Sequence, residues 1–202
     1  MDTIYFDFAK AFDTVPNKRL LAKVHSYGII GNILSGIKSF LNGREQRVVV
    51  NGQKSSWTDV ILEVPQGSIL DPILFIIYTN DIPQSVDSVC QLFADDTNCR
   101  VISGTEDQEA LQCDINNLCT CSDKWSLRFN TKKCKMIHYG DKSVDTNYTI
   151  KNIDGTNTEL ETANTETYLS ICFTSSLKFD EHINKANSIT RLIEKFQLHG
   201  QT

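Results

Sequence analysis

Two adjacent carboxylates, Asp95 and Asp96, stand in FADDT (93–97), between an apolar run and a second strand-like stretch. A third acid, Asp7, sits far upstream in the hydrophobic stretch IYFDF (4–8). Ionised carboxylates in apolar strands are costly, and neighbouring ones repel. A divalent cation removes that penalty: Mg²⁺ takes carboxylate oxygens while keeping several waters, which leaves room for substrate phosphates. Two such ions about 4 Å apart stabilise both the attacking and the leaving oxygens of an in-line phosphoryl displacement. The plain alternative is a solvent-exposed hairpin turn, where aspartate is favoured and needs no metal.

The elements that must position these acids can be read from the pattern. IYFDF reads as a short buried strand with one acid in it. PNKRLLAKVHSYGI (16–29) has helical spacing at Leu20, Leu21, Val24 and Tyr27, with Pro16 in a first-turn position. A second helix, NILSGIKSFLNG, ends at Gly43, and QRVVVNGQKSSWTDVIL reads as two strands around Asn51-Gly52. After the loop Pro65-Gln66-Gly67-Ser68 comes an apolar helix, ILDPILFIIYTNDI, with Pro72 near its first turn. SVCQLFADDTNCRVIS reads strand, tight turn, strand, with both aspartates at the turn. A long amphipathic helix follows, with Thr105 as its expected N-cap and Leu111, Ile115, Leu118 and Trp125 on its apolar face. CKMIHYG and TYLSICF (167–173) are each expected to be a strand, and a terminal helix runs from Leu177. This order predicts an α+β protein with helices on one face of a sheet.

The bulk numbers set limits. The chain has 202 residues, 40% of them hydrophobic and 22% charged, as in an ordinary soluble domain. No apolar run reaches the roughly 18 residues of a membrane span, and MDTIYFDF lacks a basic region before an apolar one, so no signal peptide is expected. Seven cysteines without Cys-x-x-Cys spacing point to reduced, intracellular thiols rather than zinc or disulfides. Nuclear and cytoplasmic locations stay open. A net charge of −5 argues against nucleic-acid binding through the whole surface. Such a role would rest on local basic patches or bound cations.

FDFAKAFDTV (6–15), VPQGSILDPILF (64–75), FADDT (93–97), LRFNTKKCKMIHYG (127–140) and TYLSICFTSSLKFDEHI (167–183) occur in that order. Together they resemble the reverse transcriptase domain of non-LTR retrotransposons, the LINE and jockey-like RNA-directed DNA polymerases. The resemblance covers nearly the whole chain. It implies a polymerase palm-type antiparallel sheet over 1–175, with residual fingers helices and hairpin at about 17–62, and the start of a helical thumb over 176–202. It implies that Asp7, Asp95 and Asp96 hold two Mg²⁺ ions (Mn²⁺ as a substitute) and that Phe8 lends its backbone carbonyl. Phe12 falls where the family places the side chain under the incoming sugar; core packing is its other reading. Asp13 is expected to cap or anchor the next helix. Gln66 and Gly67 would support template and incoming nucleotide, although Pro and Gly alone would explain a turn there. Lys133 would serve the pyrophosphate leaving group; with Lys132 and Lys135 it otherwise reads as a solvated face. TYLSI resembles the strand pair gripping the primer. The implied partners are an RNA template, a DNA primer and a dNTP, with the remaining fingers and thumb belonging to a longer polypeptide and no membrane involved.

The pattern frays in places. The family usually has glycine where this chain has Glu63, Asp71 and Ser170. Asp71 puts a charge in the first turn of a packed helix, where the dipole helps and burial does not. The isolated chain is expected to lack processive synthesis, and the competing reading is a non-catalytic, folded retroelement remnant that binds RNA or has no role. A different two-metal palm or nuclease, such as a cyclase, would carry the acids without PQGS or the KKC block.

Overall fold

The computed structural model describes residues 1–93, 96–101, 105–140, 146–152 and 154–199. Asp95 lies outside the described residues. The first strand, β1 (Asp2–Asp7), alternates as a half-buried strand should: Ile4 and Phe6 are buried on one face, and Tyr5 and Asp7 are half-buried on the other. Two helices follow, α1 (Asn17–Ser26) and α2 (Gly31–Leu41). Pro16 is the N-cap of α1, which has no side-chain cap bond, so Asp13, exposed in a 3-10 turn, does not cap it as expected.

An exposed ribbon comes next, made of β2 (Glu45–Gln46), β3 (Val49–Val50), β4 (Gln53–Lys54) and β5 (Thr58–Asp59). β3 pairs with β4 around Asn51 and Gly52, both at positive φ (51° and 80°), the turn the Asn-Gly pair predicts. The apolar helix is α3 (Leu70–Thr79), with Pro72 in its first turn. β6 (Val89–Phe93) and β7 (Asp96–Val101) form the expected hairpin, and α4 (Thr105–Trp125) is the long helix. Thr105 opens α4 from inside rather than standing as its N-cap.

After β8 (Lys135–His138) come β9 (Thr149–Lys151), β10 (Asn157–Glu159), β11 (Glu161–Thr162), β12 (Thr165–Tyr168), β13 (Ile171–Thr174) and α5 (Asp180–His199). TYLSICF is therefore a hairpin and not one strand. Its chain reverses at Leu169 and Ser170, both at positive φ (49° and 66°).

The main sheet has the order β11-β8-β1-β7-β6, antiparallel except for the parallel pair β11–β8. Ile4 faces Cys99 of β7 and Met136 of β8, and all three join one core with Leu111, Ile115 and Leu118 of α4. Leu20 and Val24 of α1 and Leu74, Phe75 and Tyr78 of α3 belong to the same core. α1, α3 and α4 thus share one face of the sheet, as an α+β architecture requires. Buried Lys23 staples three of them: its ammonium bonds the Tyr78 carbonyl and Asp81 and lies 3.9 Å from the centroid of the Trp125 ring. The other face of β1 is left for chemistry. No helix among the described residues is long and apolar enough to cross a membrane.

Candidate active site

Strand alternation sends Phe6 into the core and Asp7 to the opposite face, at the end of β1. There Asp7 is the register partner of Asp96, the first residue of β7. Directly opposed residues of an antiparallel pair have Cα atoms about 4.5–5.5 Å apart. Phe93 of β6 is the partner of the same Asp96, so the last described pair of the β6–β7 hairpin lies next to Asp7. The backbones of Asp7 and Asp96 are brought together across 88 intervening residues of chain. Asp95 and the side chain of Asp96 lie outside the described residues.

The segment after β1 is pinned from a third direction. The Asn130 N–H donates to the Asp7 carbonyl at 2.7 Å, and the Ala9 N–H donates to the Arg128 carbonyl at 2.6 Å. These bonds flank the Phe8–Phe129 bridge, whose rings stack with centroids 4.6 Å apart, and neither uses the Phe8 carbonyl. The Asn130 carbonyl in turn accepts from the N–H groups of Lys133 and Cys134, which turns the chain so that Lys133 comes back over Asp7. Its ammonium is 3.3 Å from both carboxylate oxygens.

The two oxygens of Asp7 are not equivalent. Oδ1 accepts a hydrogen bond from Lys133, whereas Oδ2 is closed off from water and, among the described residues, has no hydrogen-bond donor. Lys133 is near Oδ2 in distance but not in bonding angle, so the contact is an ion pair without a hydrogen bond. A shielded carboxylate oxygen without a donor is an unfavourable arrangement that a cation relieves. The chemistry of this oxygen therefore fits a divalent ion. Among the described residues no group of three His, Cys, Asp or Glu side chains could hold one; the expected set needs Asp95 and the Asp96 carboxylate. The neighbouring Cys134 thiol is pushed up to about 12, chiefly by burial, and so stays a neutral packing group.

A cleft of about 350 Å³ opens beside Asp7, lined by Tyr5, Lys132, Lys133, Lys135 and Tyr168 among others. The three lysines line this cleft, where the sequence alone also allowed a solvated face. Lys135 is tied to Glu166 at 3.4 Å, across from the Thr167–Tyr168 end of the β12–β13 hairpin. Tyr5 was not singled out from the sequence, although its position two residues before Asp7 puts it on the same face.

On the other side of the 3-10 turn, the Val64 N–H bonds the Phe12 carbonyl and the Glu63 N–H bonds the Val15 carbonyl, both at 2.9 Å. The loop with Gln66 and Gly67, both exposed, is thereby zipped to the segment that follows Asp7. Phe12 is half-buried and stacked on Phe75, centroids 4.2 Å apart and planes 22° from parallel, so its ring has one fixed orientation. Gly67 has φ +102°, a conformation that favours glycine whatever approaches it.

Two departures from the family pattern acquire physical content. Asp71 is buried, yet its carboxylate accepts from the Ser68 N–H at 2.6 Å and from the Ser68 hydroxyl, which itself accepts from the Leu70 N–H. This Ser-x-x-Asp exchange is built like a capping box but sits one residue ahead of the N-cap, Ile69, and burial does not leave the carboxylate without donors. Glu63 stands at φ +103°, where glycine is the favoured residue, with its carboxylate held by Arg44 at 2.7 Å.

The family profile for reverse transcriptase (RNA-dependent DNA polymerase) matches residues 3–174. The RNA-directed DNA polymerase from mobile element jockey of Drosophila funebris is 30% identical over 189 residues, which are 89% of this chain and 20% of that protein. Its Drosophila melanogaster counterpart is 28% identical over 152 residues, 69% of this chain and 16% of that protein. The chain thus spans about a fifth or less of the length of these two relatives. Among solved structures, an apo telomerase from Candida tropicalis truncated from its C-terminal domain superposes with TM-score 0.58 at 16% identity, over 89% of this chain and 34% of that one. The telomerase of the same organism bound to a fragment of telomeric RNA gives TM-score 0.59 at 14% identity, over 89% of this chain and 29% of that one. These likenesses carry the fold, a polymerase palm-type sheet. Since the matched span runs from β1 through β13, the chain belongs to the reverse transcriptase (RNA-dependent DNA polymerase) family.

Proposed function

We propose that the chain is the palm of an RNA-directed DNA polymerase, residues 1–175, continued by the first thumb helix over 176–202, and that it works within a longer polypeptide. The observation that carries this reading is the shielded, donor-less oxygen of Asp7 at the strand end that faces Asp96. Asp7, Asp95 and Asp96 would hold two Mg²⁺ ions, with Mn²⁺ able to replace them. When bound, the ions acidify a primer 3′-hydroxyl and neutralise the triphosphate. The substrates are an RNA template, a DNA primer and a dNTP.

The protein's own share is positioning and charge. Asp7 is fixed by the backbone bonds of its strand and by Asn130. Phe12, held flat on Phe75, forms a wall against which the sugar of the incoming nucleotide stacks, which excludes a 2′-hydroxyl. Gln66 and the Gly67 backbone contact the template and the nucleotide base, and the Phe8 carbonyl is an added oxygen ligand. Lys133 gives up its contact with Asp7 and meets the pyrophosphate, as a charge and as a proton donor. Lys132, Lys135 and Tyr168 line the path of the primer backbone. The site works inside the cell, in the nucleus or the cytoplasm.

The test is a melting experiment with and without Mg²⁺. Ligand that binds only the native state raises stability, so wild type gains and Asp95→Ala does not. Equal gains in the two proteins remove the metal site. Primer extension on poly(rA)·oligo(dT) should show no processive synthesis by the chain alone. A second reading, a folded remnant without catalysis, draws on Glu63 at φ +103° and Ser170 at φ +66°, where the family carries glycine. It predicts no Mg²⁺-dependent gain in either protein.

A further inference from the structure

Cys90 and Cys99 are register partners across the β6–β7 hairpin, four pairs back from the Phe93–Asp96 pair that closes it, counting both. Directly opposed residues have Cα atoms about 4.5–5.5 Å apart, within the 4.4–6.8 Å that a disulfide spans. As register partners the two side chains lie on the same face of the hairpin, next to each other. Cys99 is fully buried among the core side chains, whereas Cys90 is half-buried on β6, which is the outermost strand of the described sheet. One thiol of the pair is therefore reachable from the sheet edge, and the other waits behind it.

From this juxtaposition we infer that Cys90 and Cys99 are a redox modification site: a small-molecule disulfide converts them to a cross-strand disulfide that locks the hairpin ending in Asp95 and Asp96. The thiolate of Cys90 attacks one sulfur of the oxidant, forming a mixed disulfide and releasing one small thiol. Cys99 then attacks the Cys90 sulfur, closing the Cys90–Cys99 bond and releasing the second. Two electrons pass to the oxidant, and the two protons leave on the two small thiols. The Cys90 thiol and burial both raise the Cys99 thiol above its usual range; burial persists once Cys90 is in the mixed disulfide, so the second step is slower than attack by an exposed thiol.

The lock acts on a strand with few anchors. β6 has a sheet neighbour on one side only, β7; Cys90 and Leu92 pack partly against the core, and just before the strand starts the Asp114 carboxylate accepts from the N–H groups of Asp87 and Ser88 at 3.0 and 2.8 Å. A covalent link at 90–99 pins the stretch between that anchor and the tip. Fraying of β6, which would carry Phe93 and the tip away from Asp7, is suppressed. The site rests on strand register and burial, and it survives or fails independently of polymerase activity.

The experiment treats the native full chain with oxidised glutathione, quenches with acid, and maps disulfides by peptide mass. The expected product is one intramolecular Cys90–Cys99 link, about 2 Da lighter than the reduced pair, with no glutathione on either residue. Exposed Cys113 should carry glutathione instead, which serves as the internal control. In Cys99→Ser, glutathione should remain on Cys90, since nothing displaces it. Amide exchange at Gln91 and Leu92 should slow several-fold in the oxidised wild type. Glutathione left on Cys90 of wild type, a link to another cysteine, a link between chains, or no reaction at Cys90 would each overturn the site. Unchanged amide exchange in the linked protein would overturn the lock. The wild-type map decides the matter even if the serine variant does not fold.

Discussion

The two ends of β1 each carry an aspartate, and the protein treats them oppositely. Asp2 is buried and fully engaged: His138 Nδ1 lies 2.5 Å from one oxygen, while the Tyr148 and Thr146 hydroxyls donate to the other at 2.7 and 3.2 Å. Among the described residues, Asp7 has one oxygen bonded only to a lysine that is 65% exposed and a second that meets no donor. The difference separates a carboxylate that builds the fold from one that keeps bonding capacity in reserve. Asp2 ties β1 to β8 and to the segment entering β9. Asp7 stabilises nothing comparable, which is the expected condition of a group whose partner arrives with the substrate.

The largest effect should come from the satisfied end. Asp2→Ala removes the buried carboxylate that Tyr148 and Thr146 donate to and that His138 contacts, a loss of about 3 kcal/mol in urea unfolding. Its Mg²⁺-dependent gain should match that of wild type, because the site end is untouched. A variant as stable as wild type would erase the structural half of the contrast.

Next in size is the reserved end. Asp7→Asn should remove the Mg²⁺-dependent stabilisation, which amounts to about 2.7 kcal/mol when the ion is at a hundred times its dissociation constant. In chelator the same variant should equal wild type or exceed it by up to about 1 kcal/mol, since a half-buried carboxylate with one shielded, unsatisfied oxygen has been neutralised at the cost of a weak, exposed lysine pair. Unfolding curves with Mg²⁺ and with EDTA separate the two statements. Should the variant lose as much in EDTA as Asp2→Ala does, the two ends of β1 are alike and Asp7 is a structural residue.

How far this contrast was legible in the sequence follows from which forces set each part. The alternation of IYFDF fixed the face of Asp7, and Asn51-Gly52 fixed its hairpin turn, because both are local. The convergence of Asp7 with Asp96 rests on β1–β7 register, which no local pattern encodes; the resemblance supplied it. The hairpin inside TYLSICF escaped the pattern reading, though the resemblance implied a strand pair, because Leu-Ser lacks the glycine or asparagine that marks a turn with two positive φ values. The capping role of Asp71 was present in SILD, a Ser-x-x-Asp spacing before an apolar run, and the missing glycine drew attention away from it. The lysines next to Asp7 were ambiguous, because only the Asn130–Asp7 backbone bond decides which way that turn faces.

Backbone strain offers a smaller test that leaves both aspartates alone. Ser170→Gly should stabilise the protein by about 1 kcal/mol, since glycine adopts φ +66° without penalty. Glu63→Gly should gain less, because it also gives up the partly exposed ion pair with Arg44, which contributes about 0–1 kcal/mol. Both variants should keep the Mg²⁺-dependent gain of wild type in thermal melts. A glycine that raised stability and abolished that gain would mean that strain at these turns is part of the site.

The smallest effect on stability, and the sharpest on the site, belongs to Lys133. With its side chain 65% exposed and its contacts to Asp7 at 3.3 Å, Lys133→Ala should change unfolding stability by no more than about 0.5 kcal/mol. The ammonium nevertheless occupies the direction from which a cation would approach Asp7. Two unit charges about 4 Å apart interact by about 1 kcal/mol in a water-like dielectric, or roughly fivefold in an equilibrium constant. If Lys133 competes with the ion, its removal should lower the Mg²⁺ concentration at half-maximal stabilisation by about that factor. If it instead holds the carboxylate in place, the midpoint should move to higher concentration. A Mg²⁺ titration of the melting temperature distinguishes the two. Only the first outcome agrees with an aspartate whose lysine partner is provisional, in contrast to the permanent partners of Asp2.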